Sequence, residues 1–167
     1  MLIIASYGED GAPDAMNAAW GGVADSSRIA MYLSGGHKTV KNILKRGAFT
    51  VSMGDAEHAA AGIESGNSVP DKVARAGFHV TKSEHVDAPV IDELPLALEC
   101  KLVSYDEETR LLTGEIVNVS VDERALDENG KLAVEKLHVI TFDYANHGYY
   151  VLGEKVASAF EDGKKFK

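Results

Sequence analysis

Cysteine occurs once, at Cys100, which excludes an intrachain disulfide and any cysteine-built metal site. Positive charge is in deficit: 17 Lys and Arg stand against 26 Asp and Glu, a formal net charge of -9. Such a field repels nucleic acid and anionic membrane surfaces, so neither is an expected partner. No apolar run reaches transmembrane length. The opening stretch from Met1 to Glu9 is too short and too uncharged for a signal peptide and reads as a strand. The expectation is a soluble cytoplasmic protein, in which the sequon at Asn118 meets no glycosylating compartment. The six histidines (37, 58, 79, 85, 138, 147) show no i, i+4 pair within one predicted helix, so no metal is expected. A Gly-x-Ser-x-Gly elbow, a Cys/His dyad and a Gly-x-Gly-x-x-Gly turn after a strand are all missing, which removes the common hydrolase and Rossmann readings.

What remains is 167 residues with 45% hydrophobic content, enough for one domain spanning residues 1–167. β-branched and apolar runs predict strands over Leu2–Ser6, Met16–Val23, Arg28–Ser34, Ala48–Met53, Leu96–Tyr105, Arg110–Val121 and Leu137–Phe142. The fifth alternates cleanly, with Leu96, Leu98, Cys100 and Leu102 on one face and Glu99 and Lys101 on the other. Asp106–Thr109 reads as a hairpin turn and Asp127–Lys131 as a loop. Helices are short and few. Val40, Ile43 and Leu44 define one that Gly47 stops. Others are expected over Asp55–Ile63, over Pro70–Ala76 with Asn67 and Ser68 as cap region and Gly77 beyond, and over Glu154–Phe160. Strands joined mostly by hairpins predict a mainly β, antiparallel barrel with helices at its rim rather than a doubly wound α/β sheet.

Against the acidic background, residues 26–54 contain no Asp or Glu but hold Arg28, Lys38, Lys41, Lys45 and Arg46. They surround the turn Ser34–Thr39 (Ser-Gly-Gly-His-Lys-Thr), which runs into the first predicted helix. Glycine-exposed N–H groups, a hydroxyl, a cation and a helix N-terminus together suit a phosphate. By its local sequence alone the segment reads first as an ordinary strand–turn–helix join with a solvated basic face, and it is not a Walker A loop. Met16–Gly22 places small residues before the one tryptophan, Trp20, and two glycines after it. That pattern admits a flat aromatic ligand, but taken alone it reads first as a core tryptophan beside a glycine bulge. Ser65–Lys72 is a polar loop that caps a helix or also offers hydrogen bonds. Cys100, on an apolar strand face, reads as core rather than nucleophile.

Taken together and in order, these stretches resemble the flavin reductase-like family, an FMN-binding split barrel that includes flavoredoxin-like proteins. The resemblance rests on Asn17–Gly22, on Thr39 with Asn42 and Ile43 leading to Gly47–Ser52, on Ser65–Lys72 with Ala76–Phe78, and on Ala88-Pro89, Leu98–Cys100, Gly114–Val117 and Tyr150–Glu154. It implies a six-stranded antiparallel Greek-key barrel with short flanking helices, acting as a homodimer with one FMN per subunit near the interface. On that basis Ser34, His37, Lys38 and Thr39 would hold the FMN phosphate, Lys38 and Thr39 foremost. Asn17, Ala18, Ala19 and Trp20 would line the isoalloxazine ring, with Ser52, Met53 and Gly54 passing the cofactor on the next strand. Lys72 would enter from its loop, in the same or the other subunit, and Tyr149 or Tyr150 would stand near the flavin. One departure is visible: Gly35–Lys38 stands where the family often carries a Ser/Thr and an Arg. The implied activity is NADH- or NADPH-dependent reduction of bound FMN and transfer to a second acceptor, with no side-chain acid or base. The alternatives are a flavoredoxin-like FMN carrier reduced by a redox partner protein, and a non-enzymatic split-barrel ligand-binding module.

Overall fold

The computed structural model describes residues 1–58 and 71–166. Its strands are β1 (Leu2–Tyr7), β2 (Pro13–Ala18), β3 (Gly21–Val23), β4 (Arg28–Tyr32), β5 (Ala48–Met53), β6 (Val80–Lys82), β7 (Pro89–Ile91), β8 (Leu96–Asp106), β9 (Leu111–Val121), β10 (Ile140–Asp143) and β11 (Gly148–Val151). The helices are α1 (Lys38–Arg46) and α2 (Lys72–Arg75), with 3-10 turns at Glu123–Ala125, Val134–Leu137 and Asp162–Phe166. β2-β1-β5-β8-β9-β4-β3 form one antiparallel sheet, while β6–β7 and β10–β11 form two-stranded ribbons.

The sheet order carries the architecture. β2 and β3 follow one another in the chain yet lie at opposite edges of the sheet. Only Ala19 and Trp20 separate them. Three Cα steps span at most about 11 Å, so the sheet curls until its edges face each other. This is the mainly β split barrel expected from the sequence. Among the described residues this sheet holds seven strands instead of six, because the run Met16–Val23 breaks at this seam into two strands.

β1 is buried on both faces, which explains its unbroken apolar run. Leu2 and Ile4 enter the main core with Met31, Val40, Ile43, Phe49, Val51, Leu98, Cys100 and Leu112. Ile3 and Ala5 face a second cluster with Ala15, Val73, Phe78, Ile91 and Leu94. Gly114 lies against the Phe49 ring, where a Cβ would clash with Cζ. Register shifts at Glu99/Cys100 and Leu102/Ser104 bend the long β8–β9 hairpin.

Several sequence expectations are corrected. Helix α1 ends where expected, at Gly47 with φ 69° and its N–H bonded to Ile43 O at 2.8 Å. Its buried face is Thr39, Val40 and Ile43, however, and Leu44 is exposed. Glu154–Phe160 forms no helix: Val156 and Phe160 are almost fully exposed, so no buried apolar face supports one. The run Leu137–Phe142 divides at His138 (φ 45°) into a 3-10 turn and β10. Of the expected helix over Asp55–Ile63, only Asp55–His58 is described, as a bridge and turn; Asn67, Ser68 and Pro70 lie outside the described residues.

Candidate functional site

The seam between the sheet edges opens into a cleft. Asn17, Ala18, Ala19 and Trp20 form one wall, Tyr32, Leu33 and Ser34 with His37 another, and Thr109 and Arg110 enter from the tip of the β8–β9 hairpin. Its volume is about 290 Å³. A neighbouring cleft of about 300 Å³ shares Asn17, Ala19 and Trp20 and adds Met1, Phe142 and Tyr149. Trp20 is 58% exposed and is no core residue. With two residues to cross the seam and its carbonyl accepting from Tyr32 N–H at 3.0 Å, the backbone turns the indole outward. It meets Tyr144 edge-on. Phe142 packs against Tyr144, His147 and Tyr149, so the β10–β11 ribbon supplies an aromatic wall.

The polar end of the cleft is the turn before α1. Ser34 Oγ accepts from Gly36 N–H at 3.4 Å, which leaves its own proton for an acceptor in the cleft. His37 stands at the N-cap position without a side-chain cap bond, and the first turn of α1 holds no acid. Its Nδ1 is buried and has no partner among the described residues. That is an orphaned polar atom beside a positive helix end.

Beneath this turn, Lys38, Thr39 and Lys72 converge on Asp14 of β2, a residue the motif reading missed. Thr39 Oγ1 donates to Asp14 Oδ2 at 2.5 Å. Lys72 Nζ lies 3.2 Å and Lys38 Nζ 3.8 Å from Asp14 Oδ1. Asp14 and Thr39 are buried, and the Lys72 side chain is only 8% exposed. The hydroxyl proton of Thr39 is therefore committed to a carboxylate within the chain, whereas Lys38 remains partly exposed.

The remaining candidates are dispersed. Gly54 reaches a narrow space with Met1, Asn17, Asp55 and Tyr149, close to the seam. Met53 packs on the main core. Ser52 is buried on the opposite strand face, its Oγ without a partner among the described residues. Tyr149 lines the cleft, and Tyr150, next in the strand, is exposed and lines none of the clefts described. Of the loop Ser65–Lys72, only Asp71 and Lys72 are described.

The acid-free window is not a free basic surface. Lys45 pairs with Glu9, and Arg46 pairs with Asp87 at 3.3 Å and donates to Gly8 O. Arg110, whose carbonyl accepts from Leu33 N–H at 2.8 Å, lines the cleft and is an arginine of the kind the Ser34–Thr39 turn itself lacks; nothing local in the sequence marks it, because its place depends on the β4–β9 register. A larger cavity of about 370 Å³ lies elsewhere, among Asp55, Glu57, Glu93, Arg124, Lys136 and His138. Arg124 there is paired with Asp122 at 2.8 Å and Lys136 Nζ donates to Leu126 O, so its cations are engaged. The seam cleft has the better chemistry for a flat, anionic ligand: an aromatic wall, small residues, an orphaned imidazole nitrogen and a cationic end.

Buried Cys100 is a core thiol, its pKa pushed up to about 12 by burial and then by the Glu99 charge. Glu99 is itself buried, not on a solvated face, and accepts from Ser83 Oγ, Ser120 Oγ and Asn118 Nδ2. Among the described residues no group of three His, Cys, Asp or Glu side chains is placed to hold a metal, and no helix is long and apolar enough to cross a membrane.

Residues 1–153 match the family model of the flavin reductase like domain. Among solved structures, the chain superposes on flavoredoxin of Desulfovibrio vulgaris (Miyazaki F) with a TM-score of 0.90 and 36% identity, covering 97% of this chain and 91% of that one. Flavoredoxin from Methanosarcina acetivorans gives a TM-score of 0.87 at 22% identity over 99% of this chain and 91% of that one, which speaks for the fold alone. An uncharacterized protein of Aquifex aeolicus (strain VF5) is 33% identical over 107 residues, 61% of this chain. That match spans about half of the relative, 55% of its length.

Proposed function

The chain belongs to the flavin reductase-like family, and we propose that it is an FMN-binding redox protein with the cofactor in the seam cleft. The observation that carries this reading is the convergence of Asn17–Trp20, Ser34, His37 and Arg110 on one cleft. The residues fit the group. Ala18 and Ala19 leave room for a flat ring along the end of β2, and backbone amides there can face it. Trp20, Phe142 and Tyr149 would help to shield a bound flavin from water. Ser34, His37, Lys38 and Arg110 supply donors and positive charge for a phosphate, and the uncapped α1 N-terminus adds its dipole. Bound FMN supplies the electron-transfer chemistry, and the protein supplies position, electrostatics and solvent control.

On this reading NADH or NADPH is the electron source, and a second acceptor takes the electrons on. A carrier role is favoured by one specific finding, the 36% identity to a flavoredoxin over nearly the whole chain. In that case a partner protein replaces nicotinamide, and the -9 charge suits a basic partner. The acting unit is proposed to be a homodimer, which would cover the exposed Val103, Val117 and Val119 of the β8–β9 hairpin.

The test begins with FMN, FAD and riboflavin added separately, followed by desalting and an absorption spectrum. Retention of FMN but not riboflavin supports a phosphate-using flavin site; retention of no flavin overturns it. Anaerobic bleaching by NADH or NADPH, with steady-state turnover when an acceptor is added, marks a reductase. No bleaching by either nucleotide, with reduction by dithionite intact, marks a carrier.

A further inference from the structure

We infer that Asp14 is the positioning residue of the phosphate site, holding the Lys38 and Lys72 ammonium groups as a pair against a phosphomonoester. This rests on the FMN reading and deepens it. Asp14 is 2% exposed. A buried carboxylate persists only when it is paired and hydrogen-bonded. Asp14 has both: Thr39 Oγ1 at 2.5 Å on one oxygen, and two ammonium groups, at 3.2 and 3.8 Å, on the other.

Among the described residues the charges do not balance: two ammonium groups meet one carboxylate, which leaves one positive charge in excess. Lys72 is nearly buried, so water screens it little. The cluster also sits at the N-terminus of α1, whose dipole adds positive potential and whose first turn contains no acid. An anion would complete such an arrangement. Lys38, partly exposed and adjoining the Ser34–His37 turn, is the side through which it would be reached. Asp14 links the elements involved: β2 carries it, α1 contributes Lys38 and Thr39, and α2 contributes Lys72. Without its charge the two ammonium groups repel and Lys38 turns to solvent.

The test measures FMN and riboflavin affinity in the full chain by flavin fluorescence titration, for the wild type and for Asp14→Asn, Lys38→Met and Lys72→Met. The expected result is that each variant binds FMN about tenfold or more weakly while riboflavin affinity stays within about twofold. Asp14→Asn and Lys72→Met should also be non-additive in the double variant. Parallel loss of both flavins in Asp14→Asn, or FMN affinity unchanged or increased, overturns the inference. If Asp14→Asn fails to fold by circular dichroism, the two lysine variants decide: FMN-selective loss in both supports the inference, and loss without selectivity overturns it. A wild-type protein that binds no flavin sinks the parent reading instead. Inorganic phosphate then tests the cluster alone by ³¹P line broadening: broadening lost in Lys38→Met and Asp14→Asn supports it, and no broadening overturns it.

Discussion

Trp20 and Tyr144 meet edge-on with ring centroids 6.0 Å apart, one at the seam of the barrel and the other in the turn between β10 and β11. Both are exposed, so the one tryptophan of the chain stands at the rim of the proposed cofactor cleft rather than in the core. FMN should therefore quench Trp20 fluorescence saturably, and free FMN added to a Trp20→Phe variant should show no such change. Exposed aromatic pairs contribute about 1 kcal/mol, so Tyr144→Ala should leave the melting temperature nearly unchanged while shifting the Trp20 emission to the red.

Arg110 reaches the cleft from a hairpin tip at a positive φ of 62°. Arg110→Gln keeps the backbone strain and removes the charge. FMN affinity should fall about tenfold at low salt, and the difference from wild type should shrink as ionic strength rises. Riboflavin affinity should not respond. Titrations at two salt concentrations check both parts.

Glu99 gives a pH dependence with a definite sign. Burial by itself would raise its pKa, but hydrogen bonds from Ser120, Ser83 and Asn118 outweigh that and hold it below the ordinary glutamate value. A carboxyl lowered in the folded state contributes stability that is complete above the unfolded pKa of about 4.3 and is lost as pH falls through the folded value. Denaturant midpoints should thus drop on acidification below about pH 4.3, and Glu99→Ala should flatten part of that drop. The same variant removes the buried acceptor that Ser83, Ser120 and Asn118 share and should cost about 3 kcal/mol at neutral pH.

Cys100 should be inert while the protein is folded. With its pKa pushed up to about 12 and its side chain fully buried, almost no thiolate exists at pH 8. Iodoacetamide should leave the native protein unmodified by mass spectrometry and add one label after denaturation. Labelling of the native protein at the rate of a free thiol would contradict the core placement.

The sequence by itself determined the local features. The alternation Leu96, Leu98, Cys100 announces β8, the apolar run from Leu2 announces a strand, though its burial on both faces is a property of the packed sheet, and Gly47 ends α1 because the left-handed C-cap suits glycine. The hairpin at Asp106 is equally legible, since its carboxylate accepts from Glu108 and Thr109 N–H. Each is a property of a few consecutive residues. Strands as short as β6, β7 and β11 span too few residues to show a period, and they escaped. The split of Met16–Val23 escaped as well, because the break at Ala19–Trp20 is made by sheet closure, not by local propensity. What only the tertiary structure decided is which charges meet. The basic window is acid-free along the chain, yet Glu9, Asp14 and Asp87 come to it from other elements, Glu99 is buried under three donors, and Arg110 joins Ser34 and His37 across the β4–β9 pairing. Periodicity reports which face of an element is apolar. It carries no information about which distant side chain the register will bring within the few ångströms over which charges and hydrogen bonds act.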